Sequence, residues 1–177
     1  MLALPENMTA AIPPRKSIVK PFCISHGTLE CYELAASRRF YEEFLGLECT
    51  RHGPTSMVVR LAMRFHIVCV EVGDQLKPVH LLNHWGVDVA TRQEVDQAHA
   101  QALTLKDQYG IRQVLDTKDM HGVYSFYFVD LDHNWWEIQH YENGFQHDDM
   151  FDFGDRFGSD GRALSSLDEI KMRGNLS

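Results

Sequence analysis

Residues 24–47 read ISHGTLECYELAASRRFYEEFLGL, and residues 84–110 read HWGVDVATRQEVDQAHAQALTLKDQYG. Each opens as a short extended run containing a histidine, His26 or His84, and then changes to helical periodicity. In the first, Leu34, Phe40, Phe44 and Leu45 fall near one face while Arg38, Arg39, Glu42 and Glu43 lie largely opposite. That pattern predicts a helix over about 34–45, stopped by Gly46. In the second, Thr91 can cap a helix, and Glu94 three residues on completes a capping box. Strand-like runs follow each helix, at 47–52, 56–62 and 65–72, and then at about 111–116, 123–129 and 135–141. The order β-α-β-β-β therefore occurs twice. Each such unit exposes an apolar sheet face that only the other can cover. The expected fold is α+β: paired βαβββ modules, over 22–75 and 80–142, packed into one incomplete barrel.

The flanks read differently. Residues 1–21 hold four of the six prolines and no periodic pattern, which predicts a surface arm. Residues 143–177 form an acidic tail whose Phe145, Phe151, Phe153 and Phe157 are spaced to lie over the domain. The 177-residue chain is 44% hydrophobic and 24% charged, the make-up of an ordinary globular protein. Its 25 acidic and 17 basic side chains give a net charge of −8 with no Lys/Arg stripe, so a nucleic-acid partner is not expected. The apolar runs are of strand length, so no membrane span or secretory leader is expected either. Four cysteines, Cys23, Cys31, Cys49 and Cys69, form no CxxC pair; reduced thiols in a cytoplasmic protein are the expectation.

A lone strand histidine is usually a hydrogen-bonded structural residue, so His26 and His84 gain meaning only with a third group. Glu137, in HNWWEIQ, is the candidate. A carboxylate between Trp136 and Ile138 is costly to desolvate without a cation or hydrogen-bond donors. Alternation sets Glu137 on the face of Trp135, opposite Trp136 and Ile138. Two neutral imidazoles and one carboxylate suit a divalent transition ion with positions left open to other ligands. The remaining histidines divide less clearly: His52, His80, His99, His133 and His147 read as surface. Trp85, Trp135, Phe126 and Phe128 read as core or cavity wall.

The stretches ISHGTLE…FYEEFLGL, NHWGVDV and SFYFVDLDHNWWEIQ resemble the vicinal oxygen chelate superfamily over about residues 22–142. That superfamily includes glyoxalase I, fosfomycin-resistance transferases, methylmalonyl-CoA epimerases and type I extradiol dioxygenases. In its closing motif Tyr127, Asp130 and Glu137 match, with Leu131 in place of a proline and His133 in place of a glycine. The resemblance implies a metal centre of His26, His84 and Glu137. It is nearest to the extradiol branch. FHIVCV, residues 65–70, is similar to that branch's histidine-bearing strand, which implies His66 as an acid/base. Tyr127, ten residues before Glu137, would orient the substrate, and His121 would stand near it. The implied activity is cleavage of a small catechol-like aromatic with O2 at Fe(II), in a homodimer, with Mn, Zn or Ni as alternative ions. Two other outcomes stay open. One is thiol addition or isomerisation, as the fosfomycin-transferase likeness (Thr28, SFYF at 125–128, Lys118) or a fourth, glyoxalase-type ligand at Glu71 would imply. The other is a bleomycin-resistance-like protein that binds a small molecule without transforming it.

Overall fold

The computed structural model describes residues 24–61, 65–120 and 122–141, with Ile18 and Arg162. The chain divides into two compact units, Met1–Ile24 with His147–Ser177, and Ser25–Gln146. Of the first, Ile18, Ile24 and Arg162 are described, and all three are exposed. Every helix and strand described lies in the second. His121, and the expected arm and tail apart from Ile18 and Arg162, fall outside the described residues.

Two mixed sheets carry the fold, and each repeats one plan. In the first, β1 (His26–Cys31) runs parallel to β4 (His66–Glu71), and β3 (Ser56–Arg60) and β2 (Glu48–Gly53) follow antiparallel, in the order β1-β4-β3-β2. In the second, β5 (His84–Asp88) runs parallel to β9 (Trp135–Tyr141), and β8 (Val123–Val129) and β6 (Gln113–Val114) follow antiparallel. The expected strand over 111–116 is shorter than its sequence suggests. A further strand, β7 (Lys118–Met120), also pairs with β8. Its three residues are all exposed, so it shows no apolar alternation by which to find it. The sheets do not close into a barrel.

The first helix differs from the expected single helix over 34–45. An α-helix, α1 (Leu34–Arg39), gives way to a π-helical turn over Phe40–Phe44, where the Leu45 N–H reaches back five residues to the Phe40 carbonyl. The wider turn lets two consecutive aromatics, Phe40 and Tyr41, both be buried, which the 3.6-residue period opposes. Glu33 caps α1 through the Ala35 and Ala36 N–H groups, and the Glu71 carboxylate accepts from the Leu34 N–H at 2.9 Å. The second helix follows expectation. Thr91 and Glu94 form the capping box of α2 (Arg92–Thr104); a short α3 (Lys106–Tyr109) ends at Gly110, whose φ of 69° is left-handed.

One core joins the modules. Leu29, Cys31, Phe40, Met57 and Cys69 of the first are clustered with Val95, Phe126, Phe128, Trp136 and Ile138 of the second. Cys31, Cys49 and Cys69 are buried free thiols, and burial pushes that of Cys49 up to about 11. Polar bonds fix the register between modules. In the turn after β8, the Asp130 carboxylate accepts from the Asp132 and Asn134 N–H groups at 2.8 and 2.9 Å and from the Trp136 indole at 2.9 Å. Asp132 reaches into the first module and accepts from the Tyr32 N–H at 2.8 Å and the Ser37 hydroxyl at 2.5 Å. Asn134 donates to the Glu30 carbonyl at 3.0 Å. His133, at the glycine position of the motif that the chain resembles, takes the left-handed backbone that a glycine adopts freely, with φ 62°.

Asp132→Ala therefore removes two bonds to a buried carboxylate and leaves the Tyr32 N–H without its acceptor, while the Ser37 hydroxyl keeps the Glu33 carbonyl. Chemical denaturation should show a loss of about 3 kcal/mol. Asp130 titrates unusually: burial and the neighbouring Asp132 raise its carboxyl from 3.8 to about 7, against the pull of its three N–H donors. Between about pH 4 and 7 the folded chain keeps a proton at Asp130 that the unfolded chain has released. This group's contribution is thus full at the acid end and is lost as pH rises to about 7. The stability margin of the wild type over Asp130→Asn should narrow across that interval and then level off in urea titrations at stepped pH.

Candidate metal centre

The parallel pairing of β5 with β9 sets His84 opposite Trp135 and Gly86 opposite Glu137, and the antiparallel pairing of β8 sets Tyr127 opposite Glu137. Alternation sends Trp136 and Ile138 to the core and Glu137, itself buried at 8% exposure, to the opposite face of the sheet. There His84 Nε2 stands 3.3 Å from Glu137 Oε2. The Tyr127 ring meets His84 edge-on at 5.1 Å, and its hydroxyl lies near the Glu137 carboxylate. Burial and that carboxylate push the Tyr127 hydroxyl well above the ordinary tyrosine range, so it stays protonated.

The tautomer of His84 follows from its other nitrogen. Nδ1 lies 2.9 Å from the Leu81 carbonyl, which can only accept, so Nδ1 carries a hydrogen. Nε2 then faces the carboxylate either as a second N–H or as a lone pair. Two lone-pair donors 3.3 Å apart repel unless a proton or a metal cation lies between them. A neutral imidazole steadied through Nδ1 by a backbone carbonyl, beside a carboxylate, is a donor pair that fits a divalent ion.

Two further predicted residues, His26 and His66, lie on the first sheet. His26 and His66 are register partners on β1 and β4, with rings stacked at 5.6 Å and 17°. The Ser25 hydroxyl is 2.8 Å from His26 Nδ1, which leaves Nε2 facing outward from that bond. Both histidines share the face opposite the buried Leu29, Cys31, Ile67 and Cys69. So His84 and Glu137 come together with Tyr127, and His26 comes together with His66. Each group is on the face of its sheet turned away from the shared core. Among the described residues no three His, Cys, Asp or Glu side chains are grouped as metal ligands within the chain.

Several assignments change. Glu71, the fourth ligand a glyoxalase-type centre would need, is spent on the N-terminus of α1. His99, expected at the surface, is part-buried; it bonds the Leu115 carbonyl at 3.1 Å and meets Phe126 edge-on at 5.0 Å. Four residues of the Glu137 face escaped the sequence: Gly86, Asp88, Gln139 and Tyr141. Gln139 donates to Asp88 at 2.6 Å, and Tyr141 is pushed up by burial, then by the Asp88 and Glu137 charges. Their signal is an offset of two or four from His84 and Glu137, legible once the face is fixed. His84 and Trp85 also line a cleft of about 610 Å³, walled by Thr28 and Glu30 of β1 and by Lys77 and Leu82 of the loop before β5.

No family model matches the chain, and no curated protein matches it. Solved structures do. A genomically encoded fosfomycin resistance protein, FosX, from Listeria monocytogenes is 22% identical; the match covers 68% of this chain and 94% of that one, with a TM-score of 0.55. Lactoylglutathione lyase from Agrobacterium tumefaciens is 20% identical over 68% and 94%, with a TM-score of 0.51. A glyoxalase/bleomycin resistance protein/dioxygenase from Nocardioides is 18% identical over 73% and 89%, with a TM-score of 0.54. At such identities the likeness is one of architecture: the described domain has the fold of the glyoxalase/bleomycin resistance/dioxygenase proteins that its motifs resemble.

Proposed function

We propose that this chain is a metal-dependent enzyme of the vicinal oxygen chelate type, acting as a homodimer on a small catechol-like aromatic, with Fe(II) and O2 for ring cleavage. The observation that carries the proposal is the facing pair His84 Nε2 and Glu137 Oε2, 3.3 Å apart, with His84 steadied from behind by the Leu81 carbonyl. His84 and Glu137 of one chain and His26 of a second copy would hold the ion. The split of these residues between two faces, both turned from the core, favours a centre completed between chains over one within a chain. Mn(II) is an alternative ion: a FosX structure with this fold was solved with Mn(II) bound. Zn and Ni fit the same donors.

A bound divalent ion would supply Lewis acidity and a template for two vicinal substrate oxygens. The chain's own groups do the rest. Tyr127 keeps its proton and can donate a hydrogen bond to a substrate oxygen. His66, stacked on His26, would take or return a proton beside the centre. A second reading, a protein that binds a small molecule without transforming it, draws on the 610 Å³ cleft, a size that suits such ligands. The glyoxalase-type reading loses its fourth ligand with Glu71.

Protein purified without oxygen should retain iron, and a panel of catechols should yield yellow ring-fission products. His84→Ala should lose the metal while keeping its circular dichroism. Mixing tests the shared centre. His26→Ala and His84→Ala chains should each be inactive, and after co-refolding in equal amounts about a quarter of wild-type sites should return, because half the dimers are mixed and each regains one intact site. No recovery on mixing would place the centre within one chain. Wild-type protein without any bound metal would leave only the binding protein.

A further inference from the structure

One peptide unit just before β5 sets the state of His84. The Leu81 carbonyl that accepts from His84 Nδ1 at 2.9 Å belongs to the same amide as the Leu82 N–H. That N–H donates to Nδ1 of His80 at 3.1 Å. The amide is trans, so its carbonyl and its N–H point in opposite directions. His80 and His84 therefore hold the two ends of a single rigid plane. An N–H can only donate, so His80 Nδ1 is a lone pair there, whereas His84 Nδ1 carries its hydrogen.

Little else fixes that plane. From Lys77 to Asn83 every residue is exposed except the half-buried Leu81, and Leu82 is 80% exposed. Such a segment takes no shape from core packing, so local hydrogen bonds decide it. Within the turn both bonds are made by His80. Its carbonyl accepts from the Asn83 N–H at 2.8 Å and closes the turn, and its ring nitrogen accepts from the Leu82 N–H. The first bond leaves the central amide free to tilt; the second stops the tilt. A tilted amide would carry the Leu81 carbonyl off His84 Nδ1. Glu137, 3.3 Å from the other ring nitrogen, would then draw the hydrogen to Nε2, and a protonated Nε2 has no lone pair for a cation.

We infer that His80 is a positioning residue for the metal centre: through the Leu81–Leu82 amide it keeps His84 in the tautomer whose Nε2 can bind an ion. It touches neither ion nor substrate itself. This rests on the metal-dependent function proposed above and adds what keeps one of its ligands in the ligating form. Asparagine, aspartate and serine are favoured at the first position of such turns, where their oxygen accepts from the N–H two residues on. His80 does so with a ring nitrogen, so asparagine can take its place and alanine cannot.

The test titrates Zn(II), a diamagnetic ion that suits the same donors, into the metal-free full chain against a competing chelator. His80→Ala should bind zinc at least tenfold more weakly, as for loss of a partner behind a ligating histidine, and His80→Asn within about threefold of the wild type. Melting temperatures of the metal-free chains should agree within about two degrees, because the substituted residue is exposed. In NMR spectra of the zinc-loaded, nitrogen-15-labelled protein, the Nδ1 hydrogen of His84 should be visible in the wild type and in His80→Asn. In His80→Ala it should be lost to exchange with water. Wild-type affinity in His80→Ala would overturn the inference and leave the metal-dependent function standing. So would an equal loss in His80→Asn, which would assign the effect to the imidazole rather than to the turn. A wild type that takes up neither zinc nor iron removes both this inference and the function beneath it.

Discussion

The short turn from Asp130 to Asn134 is the constraint on which the rest of the molecule depends. Asp130 holds the turn's own backbone and the Trp136 indole, Asp132 holds the start of the first helix, and Asn134 holds the backbone of β1. Two carboxylates are nearly removed from water to do this, which is affordable only because N–H and O–H donors surround them. The turn also fixes where β9 begins, and hence that Glu137 is on one face of the sheet while its flanking residues enter the core on the other. Structure and candidate chemistry are set by the same five residues.

Much of this was legible in the sequence, for reasons that can be named. The capping box at Thr91 and Glu94 is a local motif, and it formed as its spacing dictates. The alternation Trp135–Glu137 against Trp136–Ile138 is equally local, and the expected strand forms over those residues. What failed was non-local. The π-helical turn arises because Phe40 and Tyr41 both find partners in the second module, Phe40 against Phe128 and Tyr41 against Trp136, which no helical period encodes. Glu71 became a helix cap because parallel pairing brings the end of β4 beside the start of α1, a neighbour that sequence distance conceals.

The candidate site was legible residue by residue but not as an assembly. His84, Glu137 and Tyr127 lie on three strands of one sheet, so pairing register alone unites them. His26 belongs to the other sheet, and its position relative to them depends on how the modules, or two copies of the chain, come together. A spacing pattern carries no information on that choice.

The three buried thiols of the first module give its interior a chemical clock. Cys31 and Cys69 on adjacent strands and Cys49 on β2 are shielded, and Cys49 at about 11 is almost wholly in its unreactive form near neutrality. Alkylating reagents can therefore reach them only when the sheet opens, so their labelling rates time the local breathing of β1, β2 and β4 separately from global unfolding. A ligand bridging the two faces would slow that clock without touching a single cysteine.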